Sequence, residues 1–427
     1  MTPDDLALLA FGLLAFALVS GRAERGVVTA PMAFALFGLV VGPAGLGLVE
    51  MKLNTAFIDG LAEITLVLVL FTDASRIDLS RLDREHVLPI RLLGVGLPLG
   101  VLAGMGLGHW LFPGMDWWQA GVLGAILAPT DAALGQAVVD NEAVPVRVRQ
   151  ALNVESGLND GLAFPAVLLF LSLAGGAEAR APAEWALFVA GQLLLGPLAG
   201  LAVGFAGAFA VERMADGGWM NKVFLQISVL SLAVLAYGLA EVVGGNGFIA
   251  AFVAGLVVGT RSKVLKGPLQ DFGEIEGQLL SLVVFLLFGA TMLPDALAVF
   301  GPRDLLYAAL SLTVVRMVPV ALALLGTGLA PLTVLFIGWF GPRGLASILY
   351  LLLVVEGGET GVNSALFTTI VLTVFLSVLA HGVTAAPAAR AYGRWMRRRE
   401  GEGPEHRPVR PFPTRLPSGG SKGREAA

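Results

Sequence analysis

Apolar runs long enough to cross a bilayer recur along most of this chain. About thirteen can be marked, near residues 5–21, 27–48, 54–74, 88–112, 117–139, 149–173, 184–211, 221–242, 246–260, 275–293, 304–326, 331–355 and 362–386. Each approaches the roughly 20 residues a helix needs to cross, except the short ninth. Only 14% of the 427 residues are charged, where a soluble chain carries about a quarter. The expected class is therefore an all-α polytopic membrane protein of about 13 transmembrane helices. The 55 glycines suit close helix packing in lipid. With no cysteine, disulfides and thiolate metal sites are excluded. The N-terminus, Met1-Thr2-Pro3-Asp4-Asp5, is acidic where a signal peptide would be basic, so the first run is read as a retained span. No Gly-rich phosphate loop suggests an ATP-driven pump, and no basic patch suggests nucleic acid.

Loop charge sets the expected orientation. Taking loops alternately, one set holds Arg22, Arg25, Arg76, Arg81, Arg84, Arg91, Arg147, Arg149, Arg213, Lys222, Arg261, Lys263 and Lys266, and the basic tail joins it. The other holds Lys52, Arg180 and Arg303. Lysine and arginine favour the cytoplasmic side, which places the N-terminus outside and the C-terminus in the cytoplasm of a cell (inner) membrane. The sequence divides into a transmembrane region, 1–389, and a basic cytoplasmic tail, 390–427, with no apolar period and an expectation of disorder.

The polar residues inside these runs are few. Asn153-Val154-Glu155-Ser156-Gly157-Leu158-Asn159-Asp160 places two carboxylates, amides and a hydroxyl in the sixth run. Glu155, Ser156, Asn159 and Asp160 fall within an arc of roughly 140° on a helix. That side must face protein, an ion or water. Ionisable groups at such depth cost a few kcal/mol or more and mark function. The fifth run contains Ala128-Pro129-Thr130-Asp131, and the twelfth contains Gly341-Pro342-Arg343-Gly344. Proline opens a helix at both places. If runs one to six and eight to thirteen are inverted repeats, the two interrupted helices correspond, as at transporter binding sites.

Asp160, Asp131, Thr130 and Ser156 form the expected oxygen-rich site for a monovalent cation such as sodium, or for a proton. Glu155 needs a cationic partner, with Arg316 favoured over Arg343 and the pair read as structural. Arg343 follows a break, where it neutralises carbonyls or repels cations from a gate. Asp73 sits at the cytoplasmic end of span three, either lining an inner funnel or solvated. Glu63, Glu241 and Glu276 are weaker candidates. His86, His109, His381 and His406 are placed in loops or at span ends and are poor ligands there.

These motifs resemble the monovalent cation:proton antiporter family, in its NhaP-like and sodium/proton exchanger branch. The resemblance rests on Pro129-Thr130-Asp131, on Glu155-Ser156-Gly157-Leu158-Asn159-Asp160, on Arg316 and on Gly341-Pro342-Arg343-Gly344, and spans roughly residues 5 to 386. It implies a homodimer of thirteen-helix protomers, each with a dimerisation bundle and a moving six-helix core. It implies that Asp160 binds the cation or proton, that Thr130, Asp131 and Ser156 complete or support the site, and that Asn159, Glu155 and Arg316 hold the core together. Asp73 is the nearest match to an acidic residue that the family carries near span three.

The sequence reading is thus a secondary transporter, not an enzyme, with no cofactor. It exchanges sodium or lithium for protons by alternating access around Asp160, with potassium/proton exchange as the alternative and a cation channel as a more distant one. One-for-one exchange is expected, because Asn159 does not titrate and Glu155 is expected to stay paired.

Overall fold

The computed structural model describes residues 3–23, 27–48, 56–77, 87–131, 133–175, 182–356, 364–399 and 403–407. Arg25, Lys52, Arg81, Arg84, His86, Arg180 and residues 408–427, on which parts of the topology and tail readings rest, lie outside them.

Helices occupy the apolar runs, and no strand occurs among the described residues. They are α1 (Pro3–Ala23), α2 (Ala30–Val41), α3 (Ala56–Ser75), α4 (Val87–Arg91), α5 (Leu97–Leu111), α6 (Trp117–Ile126), α7 (Gln136–Val139), α8 (Val146–Ala174) and α9 (Pro182–Asp216). The chain continues with α10 (Lys222–Val242), α11 (Gly247–Arg261), α12 (Lys266–Leu287), α13 (Leu293–Val299), α14 (Pro302–Leu312), α15 (Val314–Ala323), α16 (Pro331–Trp339), α17 (Leu345–Glu356) and α18 (Ser364–Arg397). Wider π-helical turns, Leu92–Gly96 and Phe288–Met292, join α4 to α5 and α12 to α13. Among the described residues, eight helical stretches are each long and apolar enough to cross a bilayer. The protein is a multi-pass membrane protein; α2, α11 and α17 are apolar but shorter, so the count of about thirteen crossings stays a sequence expectation.

Helix starts are set by local chemistry. Asp116 and Gln119 form a capping box at α6, and Asn221 and Asn246 accept from the third backbone N–H of α10 and α11. The helices pack in two sets that share one hydrophobic core. In one, α11 lies against α9, α3 and α10, and α12 packs on α2 and α3. Gly255 and Gly259 of α11 press on the carbonyls of Phe71 and Ser75 in α3, and a Cβ at either would collide with them. In the other group, α5 packs on α6, α6 on α8, α14 on α18 and α15 on α16. A small core of Leu88, Val138, Val148, Leu152, Phe336, Ile337, Ala389 and Met396 closes one end of it.

At that same end, four cross-links gather segments that the charge bias assigns to one side. Arg91 donates to Leu325 O and, at 3.5 Å, to Ala323 O. Arg147 donates to Pro404 O at 2.5 Å. Glu405 Oε1 accepts from Ala330 N at 2.7 Å and from Thr333 Oγ1 at 2.9 Å. Thr333 Oγ1 also meets the Tyr392 hydroxyl at 2.9 Å. α16 has alanine at its N-cap, and Glu405 supplies the missing cap from 75 residues away. Burial acts to raise the pKa of Glu405, but the Ala330 N–H, its own N–H, the Thr333 hydroxyl and the Arg399 charge together outweigh it and hold the carboxyl below its ordinary value.

The tail expectation needs correction here. The helix does not stop before Arg390 but runs to Arg397, because Tyr392, Gly393 and Met396 repeat at helical spacing and are buried. Residues 403–407 follow as a docked segment, with Glu405 buried.

Candidate functional site

The two interrupted helices cross. After α6 ends at Ile126 the chain runs open through Pro129-Thr130-Asp131, and between α16 and α17 it runs open from Phe340 to Gly344. Proline forces each opening: Pro129 and Pro342 carry no N–H. The breaks are stitched by the Asp131 N–H, which donates to Pro342 O at 2.7 Å.

Each break then answers the exposed dipole of the other. Asp131 Oδ2 accepts from Leu345 N at 2.9 Å, at the N-terminus of α17, while Oδ1 accepts from Ala133 N at 2.8 Å. Arg343 donates to Ala128 O and, at 3.0 Å, to Pro129 O, beyond the C-terminus of α6. A carboxylate thus meets the positive end of one half-helix and a guanidinium the negative end of the other. Ser347 adds a bond of 2.7 Å to Ile126 O. Gly344 has no Cβ because the Asp131 carboxylate occupies that space, and Gly341 likewise makes room for the Arg316 guanidinium. The carboxylate of Asp131, expected to ligate a cation, also caps α17 and turns the chain at Ala133. Of the two roles weighed for Arg343, neutralising carbonyls is the one its contacts match.

α8 supplies the rest. Glu155 and Arg316 form a two-pronged ion pair, Nη1 to Oε1 at 2.5 Å and Nη2 to Oε2 at 2.8 Å, with both side chains buried. Arg316 belongs to α15, so the pair ties α8 to α15 and, past Gly341, to the second break. One turn on, Asn159 Nδ2 donates to Thr130 Oγ1 at 2.6 Å, and Thr130 Oγ1 meets Ser156 Oγ at 3.0 Å. Asn159 Oδ1 is buried and has no hydrogen-bond partner among the described residues. A buried amide oxygen left so is costly unless something else binds it. Asp160 is buried beside it on the helix, and its backbone carbonyl accepts from the Tyr350 hydroxyl at 2.6 Å. Pro165 further along α8 carries no N–H to bond Gly161 O, the carbonyl next after Asp160.

Asp73 is buried at the end of α3, 3.9 Å from Arg76, and its carbonyl faces Gly157 of α8. Glu63 is bonded by the Tyr237 hydroxyl, and Glu241 accepts from Gly247 N at 2.8 Å, so both serve packing in the first helix group. His381 departs from expectation. It lies inside α18 and is fully buried, 2.9 Å from both Ser377 O and Trp339 O. Tyr350, Ser347, Ser377 and His381 went unnoticed as site neighbours; the one signal was polar residues inside apolar runs twelve and thirteen. Among the described residues, no cluster of three or more histidine, aspartate or glutamate side chains could hold a metal ion.

Comparison with known proteins identifies the family and the fold. The family model described as "Sodium/hydrogen exchanger, transmembrane" matches residues 9–391. The chain is 25% identical over 400 residues to the K(+)/H(+) antiporter NhaP of Alkalimonas amylolytica, covering 91% of this chain and 67% of that protein. It is 26% identical over 379 residues to the K(+)/H(+) antiporter NhaP2 of Shewanella oneidensis, covering 87% and 64%. It thus spans about two thirds of the length of these relatives. The solved sodium proton antiporter MjNhaP1 of Methanocaldococcus jannaschii shares the fold, with a TM-score of 0.73 at 20% identity over 90% of this chain and 98% of that one.

Proposed function

Because the chain belongs to the sodium/hydrogen exchanger family, we propose that it exchanges a monovalent cation for a proton, with Asp160 as the group that binds one or the other. The observation that carries this is the oxygen set at the crossing. The carboxylate of Asp160 lies next in sequence to a buried Asn159 Oδ1 that no described group bonds, and Thr130 and Ser156 stand within hydrogen-bond reach of that amide or of each other. Neutral oxygens plus one carboxylate suit a hard monovalent cation. Asp131 and Arg343 stabilise the two half-helix ends, Glu155 and Arg316 brace α8, and Asp73 lines the approach from the cytoplasm. Sodium is the first reading, and the solved relative is named for it. Potassium is the second, favoured by the names of the bacterial relatives.

The charge count makes the exchange one for one. Asn159 does not titrate, and Glu155 is held by Arg316. The site then carries the same charge with cation as with proton, and voltage does no work on the cycle, although one net charge moved across 100 mV is worth about 2.3 kcal/mol. The working unit is a homodimer in the cell membrane, N-terminus outside and C-terminus inside. Reconstituted vesicles with an imposed cation gradient test this. Proton flux driven by sodium, lithium or potassium, with an end point that ignores a clamped voltage, supports the reading. A voltage-dependent end point refutes the stoichiometry, and no coupled flux with any of the three refutes the function.

A further inference from the structure

The backbone groups opened at the second break do not all bond to the break itself. Trp339 O, at the end of α16, meets His381 Nε2 at 2.9 Å; Gly341 N also donates to it, at 2.9 Å. The Arg343 N–H, four residues on, donates to Ser377 Oγ at 2.6 Å. Ser377 and His381 are one turn apart on α18, and their side chains meet, Oγ to Nδ1, at 3.2 Å. The Trp339 indole adds a third link to the same helix, Nε1 to Thr384 Oγ1 at 3.0 Å. Ser377 and His381 are fully buried.

The donors can be ordered. Trp339 O can only accept, so Nε2 carries the proton. The Arg343 N–H can only donate, so Ser377 Oγ accepts there. One arrangement results: the Arg343 N–H donates to Ser377 Oγ and His381 Nε2–H to Trp339 O, with Nδ1 of the same ring beside Ser377 O at 2.9 Å and Ser377 Oγ at 3.2 Å. It spans both edges of the break. The residue held at its centre, Arg343, is the one whose guanidinium lies on Ala128 O and Pro129 O, directly before Thr130.

We propose that Ser377 and His381 are positioning residues for cation binding, fixing through the backbone of Arg343 where its positive charge stands relative to the Thr130–Asp160 site. Neither touches the cation. The inference rests on the exchange reading. If Arg343 is anchored only by its side chain, the guanidinium can move off the two carbonyls toward Thr130, where it repels a cation.

The test is cation binding by the purified full chain in detergent, read as the thermal shift at increasing sodium or potassium, beside vesicle exchange kinetics. Ser377→Ala removes the acceptor for Arg343 N–H, and His381→Leu removes the whole ring chemistry. Each should raise the half-saturating cation concentration about tenfold, the scale of one lost buried hydrogen bond. His381→Gln keeps a donor where Nε2 stands and should recover most of the loss. A merely structural pair would lower the melting temperature without moving half-saturation. Ser377→Ala or His381→Leu proteins that melt lower but bind cation as the wild type does overturn the inference. A wild type that neither binds nor exchanges any of the cations overturns the functional reading, and the inference with it.

Discussion

The Glu155–Arg316 pair offers the sharpest energetic test. Its two hydrogen bonds, 2.5 and 2.8 Å, lie in a region where both side chains are buried. Arg316 Nε already has no hydrogen-bond partner among the described residues. Glu155→Ala would therefore leave a guanidinium with no acceptor among the described residues, at a cost of about 3–5 kcal/mol. Arg316→Met leaves the carboxylate exposed to the same penalty. Replacing both, as Glu155→Leu with Arg316→Met, removes the charges together, and a buried pair exchanged for apolar groups of similar volume is about neutral. The double variant should thus be no less stable than either single one, a coupling of about 3 kcal/mol or more. Reversible denaturation of the purified protein in detergent measures it. Losses that add to within about 0.5 kcal/mol would show that the two groups do not stabilise each other, and the account of α8 as braced by α15 would fail.

Asp160→Asn keeps the shape and removes the charge; it should insert normally and lose coupled proton flux, checked in vesicles. Gly344→Ala puts a methyl where the Asp131 carboxylate lies, so it should uncap α17, costing about 1–2 kcal/mol, and slow exchange more than Gly277→Ala, where the added methyl meets nothing. Glu405 predicts a pH effect. Its folded pKa is below its unfolded one, so its contribution is present above the unfolded value, about 4.3, and is lost as pH falls through the folded value. Glu405→Gln should melt below wild type at neutral pH, and the gap should close on acidification; a gap constant with pH would count against the cap on α16.

Much of the site was legible because charge is scarce in the apolar runs. Asp160, Asn159 and Glu155 stand out within a bilayer-length run, and two Gly/Pro-interrupted runs at matched positions point to crossing breaks. Arg316 was a reasonable partner on scarcity alone. The role of Asp131 was not legible, since its acceptor function is defined by Leu345 N, 214 residues away, and no local pattern encodes that contact. His381 was misplaced because its apolar run was ended near 386, whereas buried Tyr392 and Met396 carry the helix to Arg397. The docking of Glu405 was hidden for the same reason: an acidic residue among Gly and Pro reads as solvated until a bare N-cap at Ala330 is brought beside it.

The central claim is that cation and proton share Asp160 and exclude each other. The half-saturating sodium (or potassium) concentration for exchange, measured in vesicles across a range of pH, tests it most directly. One-for-one competition predicts that, on the acid side, half-saturation rises about tenfold for each unit of falling pH while the maximal rate at saturating cation holds. A half-saturation that does not move with pH would contradict a shared site, and a rise of about a hundredfold per unit would contradict a single proton.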